Sequence, residues 1–388
     1  MWPVTQRFLD TLTHSHERRS YVEVLHDGVV IATLNSTTIP DPDTGILVQS
    51  IGGSVQVDRT AVRRQGTIQF LDVAHTVQLT ISDVVDLFQT LITEIRPWTG
   101  VKYWDATPAE SNPYEYVPIG TLVVTGVNTQ NYPQVTVAGS DRMWFVGPFV
   151  AAQTIAKGTE LSAAMNLILG LQVPSARLDT TGISVTEHSL GAPALYAEQD
   201  DAVTVLSDMA ATAGNVLFVD PMGVFTTANE PSTDDQAVAT YAPGPLSSMM
   251  RPQRSIDASQ AYNAVVFTGE SASTSSAPPP RGYAQDDDPN SATYVGRVGL
   301  RPYFASSPLI STNAQAQLAA KTRLRNILGI PTTVNVPIIP NPALEAGDVI
   351  VVTDTSQGID YPMIVDSFPV GLRAADGQVL TCRPAVIR

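Results

Sequence analysis

Apolar and polar residues alternate with a period of two in several runs of the first third of the chain. The alternation is clearest over residues 21–25, 54–58 and 67–72, and this period is typical of strands that bury one face. The sequence His26-Asp27-Gly28 indicates a hairpin turn. The pattern predicts at least four antiparallel strands over residues 20–72, and a β-barrel or sandwich for the first third of the chain.

The pattern changes to helical spacing after Pro148. Two runs place apolar residues three or four positions apart, so that they share one helix face. They are Leu161, Met165, Ile168 and Leu169 in the first run, and Val203, Leu206, Met209 and Ala210 in the second. Residues 216–219 and 224–226 are typical of two strands joined by a turn at 220–223. The pattern predicts a small α+β unit in the middle of the chain.

Strand-like runs return in the last third of the chain, over residues 263–268, 334–338, 348–352 and 363–368. One helix is predicted before the second of these runs, with Ser311 or Thr312 as its N-cap and Gly329 followed by Pro331 as its end. Residues 271–290 are rich in Ser, Pro and Asp and have little to bury, so they predict an exposed loop.

These elements predict a mainly β protein with an α+β insertion. We expect a β-barrel-like domain over residues 1–148, an α+β domain over 149–244, and a second β-barrel-like domain over 245–388 that carries the exposed loop 271–290. Two barrels in each chain would let three subunits present six similar wall elements in a closed ring.

The chain is strongly acidic, with a formal net charge of −15 from 22 basic and 37 acidic side chains. Residues 196–300 hold 13 Asp or Glu against four Arg, so this region alone contributes −9. A field of this sign opposes binding to phosphate backbones, which argues against a nucleic-acid binder. No run of about 18 apolar residues occurs, and residues 1–19 lack the pattern of a secretion signal. We therefore expect no membrane-spanning segment and no leader.

Motifs that carry catalytic or cofactor chemistry are absent from the sequence. It contains no Gly-rich dinucleotide or phosphate loop, no Gly-x-Ser-x-Gly and no His-Glu-x-x-His. The single cysteine, Cys382, excludes an internal disulfide and a cysteine-built metal site. The acidic triplet Asp286-Asp287-Asp288 lacks further oxygen ligands at the spacing of a calcium loop. We therefore expect no enzyme activity, no metal and no cofactor.

Three arginines stand close together between two predicted strands: Arg59, Arg63 and Arg64. Like charges in one turn repel each other unless carboxylates lie nearby, and guanidinium groups pair best with carboxylates. One interpretation is a solvated β-turn. The other is that these arginines form salt bridges with acidic residues of a neighbouring subunit and set the register of a ring interface.

Two parts of the chain resemble bacteriophage tail proteins. Residues 53–59 (GSVQVDR) and 63–72 (RRQGTIQFLD), with VEVLHDG at 22–28, resemble the N-terminal part of minor tail proteins from siphophages of actinobacteria. YNAVVFTG at 262–269 and NPALEAGDVI at 341–350 resemble the late barrel of phage baseplate hub proteins. The second motif also has a physical basis, because its Asn-Pro pair favours a turn and its glycine permits a positive φ before a buried strand.

The resemblance implies a homotrimeric ring at the tail tip of the virion, assembled in the host cytoplasm and placed below the distal tail protein. Such a hub closes the tail tube, connects it to tip or central-fibre proteins, and lets DNA pass through its lumen during ejection without specific binding. An acidic lumen would repel DNA and let it slide. The alternative function is a tail adhesin that binds a host-surface carbohydrate, with Tyr283, Tyr294 and Tyr303 as exposed stacking partners.

Overall fold

The structure is a computed structural model. It describes residues 1–388 except 37, 41–46, 72–86, 131–133, 174–175, 177, 180–188, 191–192, 245–246, 270–277, 308–309, 311, 329–331 and 385–388. Strands make up most of the regular secondary structure of the described residues, and the longer helices lie in the middle of the chain and before its last strands, which confirms the predicted fold class. No helix in the described part of the chain is long and apolar enough to cross a membrane.

We refer to residues 1–148, 149–244 and 245–388 as the N-terminal, middle and C-terminal blocks. The N-terminal block contains α1 (Gln6–Thr11), β1 (Arg18–His26), β2 (Val29–Asn35), β3 (Thr38–Pro40), β4 (Leu47–Gln49), β5 (Ile51–Asp58), β6 (Arg64–Leu71), β7 (Thr93–Lys102), β8 (Tyr114–Pro118), β9 (Leu122–Asn128) and β10 (Gln134–Ser140). The middle block contains β11 (Gln153–Ile155), α2 (Leu161–Gln172), β12 (Leu178–Asp179), β13 (Ala194–Tyr196), α3 (Ala202–Thr212), β14 (Asn215–Val219), β15 (Phe225–Asn229) and β16 (Ala239–Tyr241).

The C-terminal block contains β17 (Gln253–Ile256), β18 (Ala264–Gly269), β19 (Arg281–Gln285), α4 (Val295–Val298), β20 (Pro302–Ser307), α5 (Asn313–Ile327), β21 (Thr332–Ile338), β22 (Val349–Asp354), β23 (Ile359–Gly371) and β24 (Gln378–Pro384).

One large sheet runs through the N-terminal and C-terminal blocks, in the order β17-β21-β24-β23-β5-β6-β10-β9-β7-β1-β2. The blocks meet at the antiparallel pair β5–β23, where Val55 faces Val370 and Val57 faces Phe368. These four side chains are buried in one core that draws residues from both blocks, as the alternating pattern of each strand requires. The sheet thus continues across the two expected barrels, while the domain limits themselves stay a prediction.

The middle block has its own core, built where α2 and α3 pack beside the small sheet β12-β15-β14. Met165, Leu206 and Phe225 are buried there. The Asp201 carboxylate begins α3 by accepting the N–H of Thr204 at 3.1 Å. Both predicted helices are confirmed, and so is the strand-turn-strand unit over residues 216–226, which is the antiparallel pair β14–β15.

The C-terminal block adds a separate three-stranded sheet, β19-β18-β20, covered by α5. Thr312 and Gln315 form a reciprocal capping box at the start of α5, which confirms the predicted N-cap. The predicted end of this helix at Gly329 and Pro331 lies outside the described residues.

The prediction of an exposed loop over residues 271–290 is wrong for residues 281–286. Residues 281–285 form β19, which pairs with β18. The Asp286 side chain is buried and accepts a hydrogen bond from Thr293 Oγ at 2.7 Å. The strand was missed because its inward residues, glycine and alanine, give no apolar alternation. Residues 270–277 of the predicted loop lie outside the described part of the chain.

Side chains of α5 cover the outer edge of β19. Gln317 Oε1 accepts the Tyr283 N–H at 3.1 Å, and Gln317 Nε2 donates to the Tyr283 carbonyl at 2.7 Å. One helical turn earlier, Asn313 Oδ1 accepts the Arg281 N–H at 2.9 Å. Gly282 permits this approach, because a Cβ there would lie 2.2 Å from the Ala316 backbone. The helix therefore occupies the position of a neighbouring strand.

Candidate functional site

The turn between β5 and β6 lies where the three blocks meet, and the buried carboxylate of Asp141 holds it in place. Asp141 Oδ2 accepts the backbone N–H groups of Arg63 at 2.7 Å and Arg64 at 2.9 Å, and Oδ1 accepts that of Met143 at 3.0 Å. Burial raises the pKa of Asp141 to about 6, although these hydrogen bonds act in the opposite direction.

The Arg64 side chain is fully buried and binds all three blocks. Its Nε donates to the Ile119 carbonyl at 2.8 Å and its Nη1 to the Val219 carbonyl at 2.7 Å. Its Nη2 forms an ion pair with Glu345 Oε2. These acceptors belong to the N-terminal, middle and C-terminal blocks respectively, so one guanidinium group joins the whole chain at this point.

Gly120 makes room for this guanidinium group. A Cβ at position 120 would lie 2.6 Å from Arg64 Cδ, closer than non-bonded carbon atoms approach one another. The sequence therefore combines the largest fully buried side chain of the described core with a glycine beside it.

Arg63 lies against the middle block. Its guanidinium carbon is 3.6 Å from the centroid of the Phe218 ring, a cation–π contact. Burial lowers the pKa of Arg63 to about 10. Its Nε is buried and has no hydrogen-bond partner among the described residues. The ring face and the charge of Glu345 compensate in part for the lost water.

Arg59 completes the junction nearer to the surface, with a side chain 17% exposed. It forms an ion pair with Glu230 of the middle block and lies 3.6 Å from Asp366 Oδ1 of the C-terminal block. The Asp366 carboxylate also lies 3.2 Å from Arg383 Nε. Burial nevertheless raises the pKa of Asp366 to about 6.

The hairpin turn between β14 and β15 is held by side chains of the N-terminal block. Four of its carbonyl groups accept hydrogen bonds from that block. The bonds are Arg64 Nη1 to Val219 at 2.7 Å, Thr121 Oγ to Pro221 at 3.0 Å, Arg96 Nη2 to Met222 at 3.3 Å and Arg142 Nη1 to Gly223 at 3.0 Å. Arg142 is oriented by a bidentate ion pair with Glu94. The turn is thus anchored through its backbone.

The structure brings the three predicted site residues together but corrects their role. Arg64 is buried and hydrogen-bonded inside the chain, and Arg63 is buried against the Phe218 ring, so neither side chain is available to a neighbouring subunit as predicted. The solvated-turn interpretation is wrong for the same reason. Arg59 also pairs within the chain, and an additional inter-subunit contact of Arg59 stays a prediction. The cluster is a junction between blocks.

Sequence reasoning missed the acceptors of this junction, chiefly Asp141, Glu345 and the Val219 carbonyl. These groups lie 77, 281 and 155 positions from Arg64, and no local pattern relates such distant positions. One signal was present: Asp141 follows directly after β10, and aspartate side chains at the ends of strands often accept hydrogen bonds from nearby backbone N–H groups.

The junction offers acceptors and guanidinium groups but no metal-binding set. Among the residues that the structure describes, no group of three or more His, Cys, Asp or Glu side chains is placed to hold a metal ion. A cleft of about 290 Å³ beside the junction is lined by Trp2, Arg63, Phe218 and Asp348, among others. Asp348 forms an ion pair there with the amino group of Met1.

The three tyrosines of the alternative function do not form one platform. Tyr303 packs edge-on against Tyr262, with ring centroids 5.3 Å apart. The ring of Tyr294 covers Gly296, where a Cβ would lie 2.5 Å from it. Tyr283 is 41% exposed and lines an open groove of about 770 Å³ between β19 and α5.

Comparison with known proteins gives matches in structure but not in sequence. No protein-family model and no curated protein matches the sequence. The fold is similar to that of a tail protein from Neisseria meningitidis, with a TM-score of 0.59 and 13% identity over 94% of this chain and 96% of the other. A 43 kDa prophage tail protein from Shewanella oneidensis gives a TM-score of 0.59 and 12% identity, over 95% of this chain and 98% of the other.

A prophage tail protein from Listeria monocytogenes is also similar, with a TM-score of 0.51 and 11% identity over 94% of both chains. At these identities the likeness concerns the fold, and it extends over nearly the whole length of each protein. The chain therefore has the fold of phage tail proteins.

Proposed function

We propose that this chain is a structural subunit of a phage tail tip: a homotrimeric hub of the siphophage minor-tail-protein type. In this proposal the hub closes the distal end of the tail tube and connects it to tip or fibre proteins. It is assembled in the host cytoplasm and acts through assembly and not through catalysis. The observation that carries the proposal is the fold shared with two tail proteins over 94% and 95% of the chain.

The arginine junction supports a role in the rigid wall of a ring. Arg64 joins the three blocks, and four carbonyl groups fix the hairpin of the middle block to the N-terminal block. Blocks linked through buried, charge-assisted hydrogen bonds do not separate without leaving charges unpaired in the interior. A subunit of this kind keeps one shape, which suits a ring that must seal a tube.

The charge of the chain supports passage of DNA through the hub. A net charge of −15 gives a surface that repels phosphate groups. DNA moving through a ring with such a lining would not bind to it, since cationic side chains provide the nonspecific affinity of proteins for DNA.

The proposal is tested by locating and counting the chain in phage particles. Gold-labelled antibodies against it should mark the tail end distant from the capsid, and quantitative mass spectrometry should find three copies per tail. A count of one or six copies would contradict the trimeric hub, and label on the capsid or along the whole tube would contradict the location.

A second candidate function, a carbohydrate-binding adhesin, is favoured by the exposed ring of Tyr283 in its open groove. An adhesin should bind host cells as a purified chain, and Tyr283→Ala should abolish that binding. Tyr303→Ala is the matched control, because its ring is packed against Tyr262. Absence of cell binding by the purified chain would leave the hub as the function.

A further inference from the structure

The cleft beside the arginine junction contains a buried cation whose charge is only partly compensated. Arg63 lines this cleft and is 4% exposed. Its Nε has no hydrogen-bond partner, and its guanidinium group forms no ion pair with another described residue. A guanidinium group has five N–H donors, and donors held away from water without an acceptor destabilise the fold. The cleft wall therefore carries a donor group that needs an acceptor.

Three carboxylates of the described chain also line the cleft, and each is bound elsewhere. Glu345 forms an ion pair with Arg64, and Asp348 forms one with the N-terminal amino group. Asp220 accepts a backbone N–H of its own turn at 2.8 Å. The charge of Glu345 acts on Arg63, but the two side chains make no direct ion pair. A further carboxylate is therefore the acceptor that this cleft lacks.

The remaining wall of the cleft is largely apolar. Val216, Phe218 and Ala228 of the hairpin β14–β15 line it, together with Trp2. The three hairpin side chains alternate with the buried residues of their strands, so they point away from the core of the middle block. The Phe218 ring also carries the Arg63 guanidinium group on its face. One cation without a direct carboxylate partner thus lies beside apolar and aromatic contact surface.

The size of the cleft favours a short piece of polypeptide over a cofactor. Its volume is about 290 Å³, whereas pockets that enclose drug-sized ligands measure about 300–1,000 Å³. A space at the lower limit of this range holds one or two side chains, and the chain that carries them continues outside. A chain end with an apolar last residue carries a carboxylate and an apolar side chain on the same Cα, so it supplies both groups from one residue.

We propose that this cleft binds the C-terminal end of another tail protein, with the terminal carboxylate on Arg63 and an apolar last side chain against Trp2 and Phe218. A carboxylate can accept two parallel hydrogen bonds from one guanidinium group. A flat subunit surface cannot reach the buried Arg63, but a single chain end that enters the cleft can. The inference rests on the proposed function only for the identity of the protein that supplies the chain end.

Isothermal titration calorimetry on the purified full chain tests the recognition. The probes are the acetylated hexapeptide GSGSGL with a free C-terminus, the same peptide with a C-terminal amide, and the acetylated amide GSGEGS, which carries its carboxylate on an internal side chain. We expect the free C-terminus to bind at least about tenfold more tightly than either amide, because only it presents the carboxylate next to an apolar side chain. Equal binding of the free acid and its amide, or tighter binding of the internal glutamate, would overturn the proposal.

Sodium acetate and N-acetyl-leucine separate a chain end from smaller acids. Acetate should bind at least about tenfold more weakly than the hexapeptide, because it makes no apolar contact. Equal affinity for acetate would show a simple anion site and would overturn the proposal. N-acetyl-leucine should bind no more tightly than the hexapeptide, and tighter binding would show that the preceding residues of a peptide are excluded, which would also overturn it.

Variants place the binding in the cleft. Arg63→Met removes the cation, and Arg254→Met is its matched control, since Arg254 is exposed on β17 and forms no ion pair with a described residue. Ala228→Phe fills the cleft and keeps every charge, with Ala163→Phe on the exposed side of α2 as its control. Both cleft variants should bind the free-acid hexapeptide at least about tenfold more weakly, and both controls within about twofold of wild type.

Circular dichroism should show which variants are folded, and Ala228→Phe decides the outcome if Arg63→Met is unfolded. Unchanged affinity in a folded cleft variant would overturn the site. Absence of peptide binding in a chain that is nevertheless present as three copies at the tail end would overturn the cleft and retain the hub. Peptide binding by a chain that is absent from the tail end would contradict the hub and retain a cleft for chain ends.

Trp2 provides an independent readout of where the peptide lies. Because its side chain lines the cleft, the free-acid hexapeptide should change the tryptophan emission of the wild type. The same change should be absent from Trp2→Phe, which keeps an aromatic ring at this position and should still bind the peptide by calorimetry. An emission change of equal size in Trp2→Phe would place the peptide elsewhere and overturn the site.

Discussion

Arg64 and Glu345 form an ion pair between the first and last blocks of the chain, across 281 positions of sequence. The arginine is buried and the glutamate side chain is 19% exposed. The Glu345 carboxylate therefore stays partly hydrated, while it neutralises the Arg64 guanidinium group, which is out of contact with water. The same guanidinium group also binds the Ile119 and Val219 carbonyls, so the pair is part of a network that includes all three blocks.

Replacement of Arg64 by methionine should lower the free energy of unfolding by about 3 kcal/mol or more, because Glu345 and two carbonyl groups lose their buried donor. Arg19→Met is the control. Arg19 pairs with Glu17 while 54% exposed, and such pairs contribute about 1 kcal/mol at most. Urea unfolding measures both variants. Similar losses would show that Arg64 contributes no more than a surface arginine.

Gly120→Ala should destabilise the protein by about 1–3 kcal/mol, because the added methyl group pushes against Arg64. Gly126→Ala is a matched control in the same block, since a Cβ at position 126 meets no atom within 4 Å. The control should change stability by about 0.5 kcal/mol or less. Thermal unfolding distinguishes them, and equal melting temperatures would contradict close packing at position 120.

The free energy of unfolding of the wild-type protein should rise relative to that of the Asp141→Asn variant as the pH falls from 7 to 4. The pKa of Asp141 in the folded chain is raised from 3.8 to about 6. Its contribution is therefore fully present below its ordinary pKa and is lost as the pH rises through about 6. From pH 7 to pH 4 the wild type should gain up to about 3 kcal/mol relative to the variant.

The difference between the two proteins isolates Asp141. Asp366, whose pKa burial also raises to about 6, is present in both and its contribution cancels. Urea unfolding at several pH values gives the difference. Parallel stability curves over this range would show that Asp141 ionises in the folded protein as it does in the unfolded chain.

Thr121→Val should loosen the hairpin of the middle block. The Thr121 hydroxyl accepts from Arg96 Nε at 2.9 Å and donates to the Pro221 carbonyl at 3.0 Å, and valine would leave both groups unpaired at a cost of about 1–3 kcal/mol. Hydrogen exchange of residues 215–229 should accelerate. Thr353→Val, whose hydroxyl bonds Asp360 at the exposed end of β22, is the control. Unchanged exchange in the hairpin would show that the anchor is dispensable.

Secondary structure was predictable where side chains alternate or recur with a regular period. Met165 and Leu206 revealed their helices because both lie on apolar faces with helical spacing. The turn at 220–223 was predictable from its Pro and Gly, and Gly223 has the expected positive φ of 85°. β19 was not predictable, because its inward residues are glycine and alanine and its packing depends on α5.

The candidate site was only half predictable. The three arginines were visible as a cluster that needs carboxylates, but the sequence could not tell whether Glu230, Glu345 and Asp366 belong to the same chain or to another copy. That choice depends on how β5 and β23 meet. A basic cluster in an acidic chain indicates a junction, and only the tertiary structure shows what it joins.

The pairing of β5 with β23 also determines the order in which the chain can fold during its synthesis. The first strand partner of β5 is β6, which follows it directly. Ser54 faces Gly371 of its second partner, so the ribosome makes 317 further residues (371 minus 54) before the other edge of β5 is paired. Until then the N-terminal strands expose an unpaired edge and half of a core, which is a state prone to aggregation. Native pairing that spans so much sequence also closes slowly. We expect newly made chains to depend on chaperones until their last strands emerge.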